Sequence, residues 1–476
     1  MNFTSAAFFA FFIIFLFLYW KVLRNHRTII LFLGSYFFYG FWDWKYLALL
    51  IILSIVNFTA ALVMHKSQLK RPALILALSF NMGVLFTFKY FGFFVDNLKA
   101  LLATLGWQLS TTSLSLIIPL GISFYVFQVS SYSIDVYRNQ LQPTRNFIAF
   151  SAFVAYFPHM AAGPIMKAKE LLPQIQQPKA SIAQSQILSA LGLIAVGLFK
   201  KVVIADTLAP MVDRIFTSQE SWDWKSLILA SISFGLQIYG DFSGYSNMAR
   251  GVSRLLGIEL VLNFRQPYFS SNIQEFWRRW HISLSTWFRD YLYIPLGGNR
   301  SKLKTRTYFN LILVMLVAGI WHGAAWGFLI WGMAHGLLLV IQRIFSSSSR
   351  PKFNFINVKA MRIATVLIKI TLTNALVFTL WIVFRNPNPE VFMSIFNRIL
   401  SREPGVFELS DVLLVLEMLI ITILIDGLEV AWQTKPEIRN WFLSRPYLVG
   451  MFVGILTLLS ITFQSSDVVP FVYFQF

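Results

Sequence analysis

Apolar runs separated by clusters of lysine and arginine recur along almost the whole chain, and they restrict its folding more than any other feature. The runs fall near 5–20, 29–42, 46–64, 73–95, 114–129, 146–162, 186–204, 226–240, 308–320, 324–342, 361–384, 411–431 and 447–463. A helix needs about 20 mostly apolar residues to cross a bilayer, within a range of about 17–25. In hydrocarbon the backbone must satisfy its own hydrogen bonds, so such runs become helices. The pattern predicts an all-α polytopic membrane protein with about ten to twelve transmembrane helices, some tilted, broken or re-entrant.

Composition bears on what else the chain could be. Charged residues make up 13% of it and hydrophobic residues 57%, against about 25% charged in soluble domains. A soluble enzyme and a disordered chain are both poor fits. The 40 Lys and Arg against 21 Asp and Glu give a net charge of +19. In a soluble protein that excess would suggest nucleic acid as a partner. Here the cations lie between apolar runs, as the positive-inside rule requires, so the expected partner is the lipid bilayer and not nucleic acid. The chain has no Cys, which excludes disulfides, a thiolate nucleophile and Cys metal sites. It also excludes the Cys-dependent palmitoyltransferases.

The ends can be oriented. No Lys or Arg precedes the first run, while Lys21, Arg24 and Arg27 follow it. Lys435, Arg439 and Arg445 precede the last run, and nothing after Arg445 is basic. Both termini are therefore expected outside, after an even number of crossings. The first run lacks a basic n-region and a small-residue cleavage site, and reads as an uncleaved span. The apolar, aromatic tail at 468–476 is expected to fold back into the protein or the interface. Residues 346–351 and 385–389 read as loops, and Lys167 to Ser181 as an interfacial or loop excursion. None of these separates soluble domains, so residues 1–476 read as a single membrane domain.

Two segments concentrate the unusual residues. The first, Phe276 to Arg300, is aromatic, basic and amphipathic. A helix from Ile273 to about Tyr293 would set Trp277, Trp280, Leu284 and Trp287 on one face. It would end before Pro295 and the Gly297-Gly298 turn. An interfacial anchor helix has the same composition. The second segment, Ala318 to Gly336, holds His322 and His335 in an otherwise apolar stretch. Ionisable residues at such depth are functional candidates, and the surrounding Gly and Ala allow close approach. For His322, chemistry and a structural hydrogen bond weigh equally. For His335, four residues after Trp331, the structural reading weighs more. The six His (26, 65, 159, 281, 322 and 335) form no HxxxH or HExxH pattern, so no metal site is expected. There is no GxSxG elbow and no Walker-type loop.

FWRRWHISLSTWFRDYLYIPLGG (276–298) and WHGAAWGFLIWGMAHG (321–336) resemble the membrane-bound O-acyltransferase superfamily. They are most similar to its bacterial branch, which holds the membrane subunits of alginate O-acetylation, peptidoglycan O-acetylation and teichoic-acid D-alanylation. YGDFSGYS (239–246) and FPHMAAGPI (157–165) add to the resemblance.

The resemblance implies an O-acyltransferase with acetyl-CoA as donor and no bound cofactor. Its tunnel-forming catalytic core would lie at about 120–345, with C-terminal helices and an aromatic tail at 361–476. It implies His322 as the catalytic residue and His281 as the second position. It also implies Tyr473, within Phe471-Val472-Tyr473-Phe474-Gln475-Phe476, as acyl acceptor. An aromatic interface anchor is the competing reading of Tyr473. Arg278, Arg279 and Arg289 are candidates for the donor phosphates, with topology as the alternative. Trp321, Trp326 and Asp241 are further donor-site candidates, though for Asp241 the reading as an ion-pair partner or helix cap weighs more. The implied setting is the bacterial cytoplasmic (inner) membrane. The implied partners are an extracytoplasmic SGNH-type Ser acetyltransferase or esterase-like protein and the polysaccharide synthesis machinery. A polytopic flippase for a polysaccharide precursor is the rival function. It would explain the spans without calling for the WHG block.

Overall fold

The computed structural model describes residues 3–66, 68–107, 116–300, 303–347, 359–464 and 470–472. Among them the regular elements are helices, and the sole strand-like pairing is an isolated bridge between Trp222 and Val406. The all-α expectation holds. The chain divides into two compact units, Met1–Ile194 with Met248–Val261, and Ala195–Asn247 with Leu262–Phe476.

The first unit contains α1 (Ala6–Phe17), α2 (Arg27–Asp43), α3 (Leu47–Lys66), α4 (Lys70–Leu85), α5 (Phe91–Thr104), α6 (Ile122–Tyr137), α7 (Phe147–Val154), α8 (Phe157–Met160), α9 (Ala168–Gln176) and the start of α10 (Gln184–Phe199). Its core is aromatic. The Phe157 ring lies 5.4 Å from Phe11, 5.2 Å from Phe15 and 5.6 Å from Phe38. Buried polar groups pair with one another, as they must where water is scarce. The Asn57 and Asn81 amides exchange hydrogen bonds of 2.7 and 3.0 Å, and Ser130 and Ser133 complete the cluster. The excursion at 167–181 is in part the helix α9, which buries Leu171, Leu172 and Ile175.

The second unit runs through a π turn at Lys200–Asp206, α11 (Thr207–Thr217), most of α12 (Trp224–Leu255), α13 (Ile273–Arg279), α14 (Ile282–Phe288), α15 (Lys304–His322), α16 (Trp326–Ser347), α17 (Lys359–Arg385), α18 (Pro389–Ser401), α19 (Leu409–Thr434), α20 (Pro436–Leu443) and α21 (Pro446–Thr462). α15 and α16 form a tight hairpin because glycines face each other. A Cβ at Gly336 would stand 2.9 Å from Ile312 Cα, and one at Gly319 or Gly332 would collide with the carbonyl of Phe328 or Met315. Small residues of this kind let helices approach in a membrane.

A helix covers at least part of every expected apolar run. Among the described residues, five stretches are long and apolar enough to cross a bilayer: Arg27–His65, Lys70–Thr104, Gln184–Thr217, Trp326–Phe345 and Met361–Arg385. The pair Pro436–Leu443 and Pro446–Thr462, bent by 94°, makes a sixth if it is one broken span. The expected count of about ten to twelve is not confirmed. Ala6–Val22 and Phe147–Met160 are short. α19 is long but carries Asp411, Glu417, Asp426 and Glu429. The broken segments that were expected are present.

Candidate active site

His322 is the last residue of α15 and is 5% exposed. Its ring lies among Trp321 (5.0 Å), Trp331 (5.2 Å) and Phe384 (5.1 Å). Gly323, extended at φ −168°, ends the helix there, and Phe328 occupies the space that a side chain at 323 would need. His322 also lines a cavity of about 590 Å³, within the usual size of a ligand site. Leu311, Val314, Met315 and Ala318 line it too. They share one face of α15 with His322, a stripe that extends about 16 Å at the helical rise. Arg278, Arg289 and Arg343 line the same cavity, with Gln274, Gln342 and Tyr293. Arg343 hydrogen-bonds Tyr293, yet burial outweighs that contact and holds the phenol above its ordinary value.

His281 reaches the interior by a break in the chain. The continuous helix expected from Ile273 to Tyr293 does not form. α13 ends at Arg279, Trp280 is extended, and His281 takes the left-handed conformation at φ 42° before α14 begins. The break is held from below. Asn263, fully buried, accepts the Ser283 N–H (3.2 Å) and hydroxyl (2.9 Å), and its carbonyl accepts the Ile282 N–H (2.8 Å). The kink turns Trp280 and His281 inward to 1% exposure each, whereas Trp277 and Trp287 stay half-buried. The His281 ring packs against Phe242 (4.7 Å) and Trp321 (5.8 Å). Burial holds this imidazole well below its ordinary value, so it stays neutral. His281 does not line the cavity. Trp321 lies against both candidate histidines, with the cavity on the His322 side.

The YGDFSGYS segment lies on α12. Gly240 and Gly244 bring that helix onto the π turn, where a Cβ would stand 2.9 Å from the Lys200 carbonyl or 2.7 Å from the Gly197 carbonyl. The π turn buries two consecutive lysines. Lys200 pairs with Asp426 (3.3 Å) and Glu429 (2.9 Å), and Tyr239 donates to Asp426 at 2.7 Å. Lys201 pairs with Asp206 (2.7 Å) and Asp241 (2.8 Å).

The structure thus brings His322, Arg278 and Arg289 to one cavity, and His281 and Trp321 beside it. The other candidates lie elsewhere. Arg279 pairs with Glu275 at 2.5 Å instead of lining the cavity. Burial raises the Glu275 carboxyl, but the Ser271 hydrogen bonds and the Arg279 charge outweigh this and hold it below its ordinary value. Trp326 is 52% exposed. Asp241 is an ion-pair partner and does not line the cavity. His335 accepts from the Trp277 indole at 3.3 Å, which favours the structural reading. The tail returns to the interior at Phe471 and Val472, which are 6% and 2% exposed. Tyr473 lies outside the described residues. Arg343 and Lys201 were not anticipated. Arg343 lies in no basic cluster, and the only hint of Lys201 is that it stands in an apolar run.

The model of the membrane-bound O-acyltransferase family matches residues 8–380. The chain belongs to this family. A Pseudomonas putida protein named probable alginate O-acetylase AlgI is 36% identical over 513 residues, covering 100% of both chains. The peptidoglycan O-acetyltransferase of Helicobacter pylori is 40% identical over 75% of this chain and 71% of its own. The teichoic acid D-alanyltransferase of Streptococcus thermophilus is 31% identical over 47% and 56%. The protein is a multi-pass membrane O-acyltransferase, which selects this class over a flippase.

Proposed function

We propose that the protein takes an acetyl group from cytoplasmic acetyl-CoA and relays it across the membrane for O-acetylation of an extracytoplasmic polysaccharide such as alginate. The observation that carries this reading is the cavity in which three arginines and His322 share one lining. Guanidinium groups match phosphate in charge and geometry. Coenzyme A is too anionic to cross a bilayer, whereas its small acyl group can pass through protein. The names of the relatives support a cell-surface polymer as the final acceptor.

In the proposed chemistry His322 acts as general base. The Tyr473 phenol, assigned by the resemblance of its tail motif, loses its proton to the imidazole. A bond forms between the phenolic oxygen and the thioester carbonyl carbon, the C–S bond breaks, and the coenzyme leaves as thiolate. The imidazolium then returns the proton to that sulfur. A phenol, with pKa about 10, is close enough to a thiol at about 8.5 for the ester to keep much of the thioester's transfer potential. His281, neutral and buried, does not line the cavity, and it orients the reacting carbonyl through Trp321, which lies against both histidines. An SGNH-type partner with a serine nucleophile then collects the acetyl group and works with the polysaccharide synthesis machinery. The protein sits in a bacterial inner membrane with both ends outside, a placement supported by its basic residues.

The test uses purified protein in lipid nanodiscs with labelled acetyl-CoA, and reads release of the coenzyme thiol. His322→Ala, checked for an unchanged melting profile, should reduce release by about 100-fold or more. Undiminished turnover by that variant would falsify the reading.

A further inference from the structure

The buried tail is not accounted for by the cavity, since neither Phe471 nor Val472 lines it. What holds the tail is a carboxylate already engaged with a cation. Asp241 Oδ1 lies 2.8 Å from Lys201 Nζ, and Oδ2 accepts the Val472 N–H at 2.6 Å. Lys201 is bridged on its other side by Asp206 at 2.7 Å. The Asp241 side chain is 1% exposed and that of Lys201 is 9% exposed. Lys201 is shared between Asp241 and Asp206, so one cation faces two carboxylates and a further donor to Asp241 is favoured. The second oxygen has that donor in a backbone amide far away in sequence. Because it holds the amide and not a side chain, it fixes the register of the tail.

Aromatic contacts fix the same point from another direction. The Phe471 ring lies 5.8 Å from Phe242 and 5.4 Å from Tyr245. Phe242 in turn lies 4.7 Å from the His281 ring. Asp241 and Phe242 are consecutive on α12, so one short piece of helix holds the tail backbone and also touches the candidate site. The glycines at 240 and 244 make this possible, because they let α12 close on the π turn that carries Lys201.

We infer that Asp241, clamped by Lys201 and Asp206, is a positioning residue that latches the C-terminal tail at Val472 for acyl transfer. The last clause rests on the proposed role of Tyr473 as acceptor, but the latch does not. A plain charge-compensating Asp241 makes a different prediction. Asn at 241 keeps an amide oxygen for the Val472 N–H, while Lys201 keeps Asp206.

The absence of cysteine provides a clean probe. Val472→Cys places the only thiol at the latch in the full-length protein, and its labelling by a maleimide is timed. The thiol should label slowly in the parent and nearly as slowly with Asp241→Asn. With Asp241→Ala it should label at least about tenfold faster, as befits loss of one charge-assisted hydrogen bond. Equal rates in all three chains would overturn the latch. So would equal acceleration by Asn and Ala, which assigns Asp241 to charge compensation alone. If Asp241→Ala fails to fold, Val472→Pro removes the N–H and leaves the Asp241–Lys201–Asp206 pairing in place. With the only thiol moved to Phe471→Cys, this chain should label at least about tenfold faster than Phe471→Cys alone, and equal rates would overturn the latch. Mass spectrometry of the tail peptide after exposure to donor isolates the acceptor reading. No acetyl on the peptide of the unaltered protein would sink that clause, while the labelling rates still judge the latch.

Discussion

His281 holds a backbone conformation that L-residues avoid. Left-handed φ is tolerated by Gly and by short polar residues, and it costs about 1–2 kcal/mol for an ordinary side chain. It is most unfavourable for β-branched ones. The strain is sustained by the Asn263 contacts on the following turn, and its return is an imidazole aimed inward. This separates backbone from chemistry. His281→Asn should leave the melting temperature nearly unchanged, because Asn accepts left-handed φ, while acyl transfer falls. His281→Val should in addition lower stability by about 1–2 kcal/mol, read as a lower denaturation midpoint in detergent. Equal stability of the two variants would argue against strain at this position. The sequence resemblance points to His281 as a residue, but its geometry is not legible. The segment has no Gly or Pro at 280–281 to announce a break, and the aromatic periodicity runs through it unbroken.

At the scale of elements, periodicity and hydropathy locate the helices well, and fail where tertiary contacts override them. The division of 273–293 into α13, α14 and a π turn is one such case. Its first piece is held by a reciprocal cap: the Asn272 side chain accepts the Glu275 N–H, and Glu275 accepts from Ser271. The carboxyl of Glu275 is depressed in the fold. A depressed carboxyl contributes stability that is present above its unfolded value of 4.5 and is lost as pH falls through the lower folded value. Protection factors of the amides at 271–279 should therefore fall only in acid, and Glu275→Gln should remove that pH dependence. The α15–α16 hairpin makes a second demand at this scale. Its glycines are readable as small residues, but which of them touch backbone is not. A Cβ at Gly332 meets the Met315 carbonyl, an atom that cannot rotate away. Gly332→Ala should destabilise by about 1–3 kcal/mol through overpacking, whereas Gly454→Ala, with nothing within 4 Å, should be tolerated. Comparing the two melting shifts checks this directly.

For the whole molecule, part of the excess positive charge is gathered in one place by the fold. Arg278, Arg289 and Arg343 converge on one cavity, although Arg343 stands on α16, far in sequence from the other two. A sequence pattern exposes clusters along the chain, and this cluster exists only after α13, the π turn at Arg289–Tyr293 and α16 pack. The same packing diverts Arg279, adjacent in sequence to Arg278, into its pair with Glu275. The proposed donor site therefore predicts unequal effects from neighbouring cations. Arg343→Gln and Arg278→Gln should each raise KM for acetyl-CoA about tenfold, the worth of one charge-assisted contact, with kcat little changed because the reacting carbon is untouched. Arg279→Gln should leave KM within about twofold. Raising the salt from low to physiological ionic strength should raise KM in the parent, and less so in the Arg343 variant, since screening acts on charges still present. If Arg279→Gln raised KM as much as Arg343→Gln, the cations would be acting as a diffuse topological field, and the cavity would lose its claim on the donor.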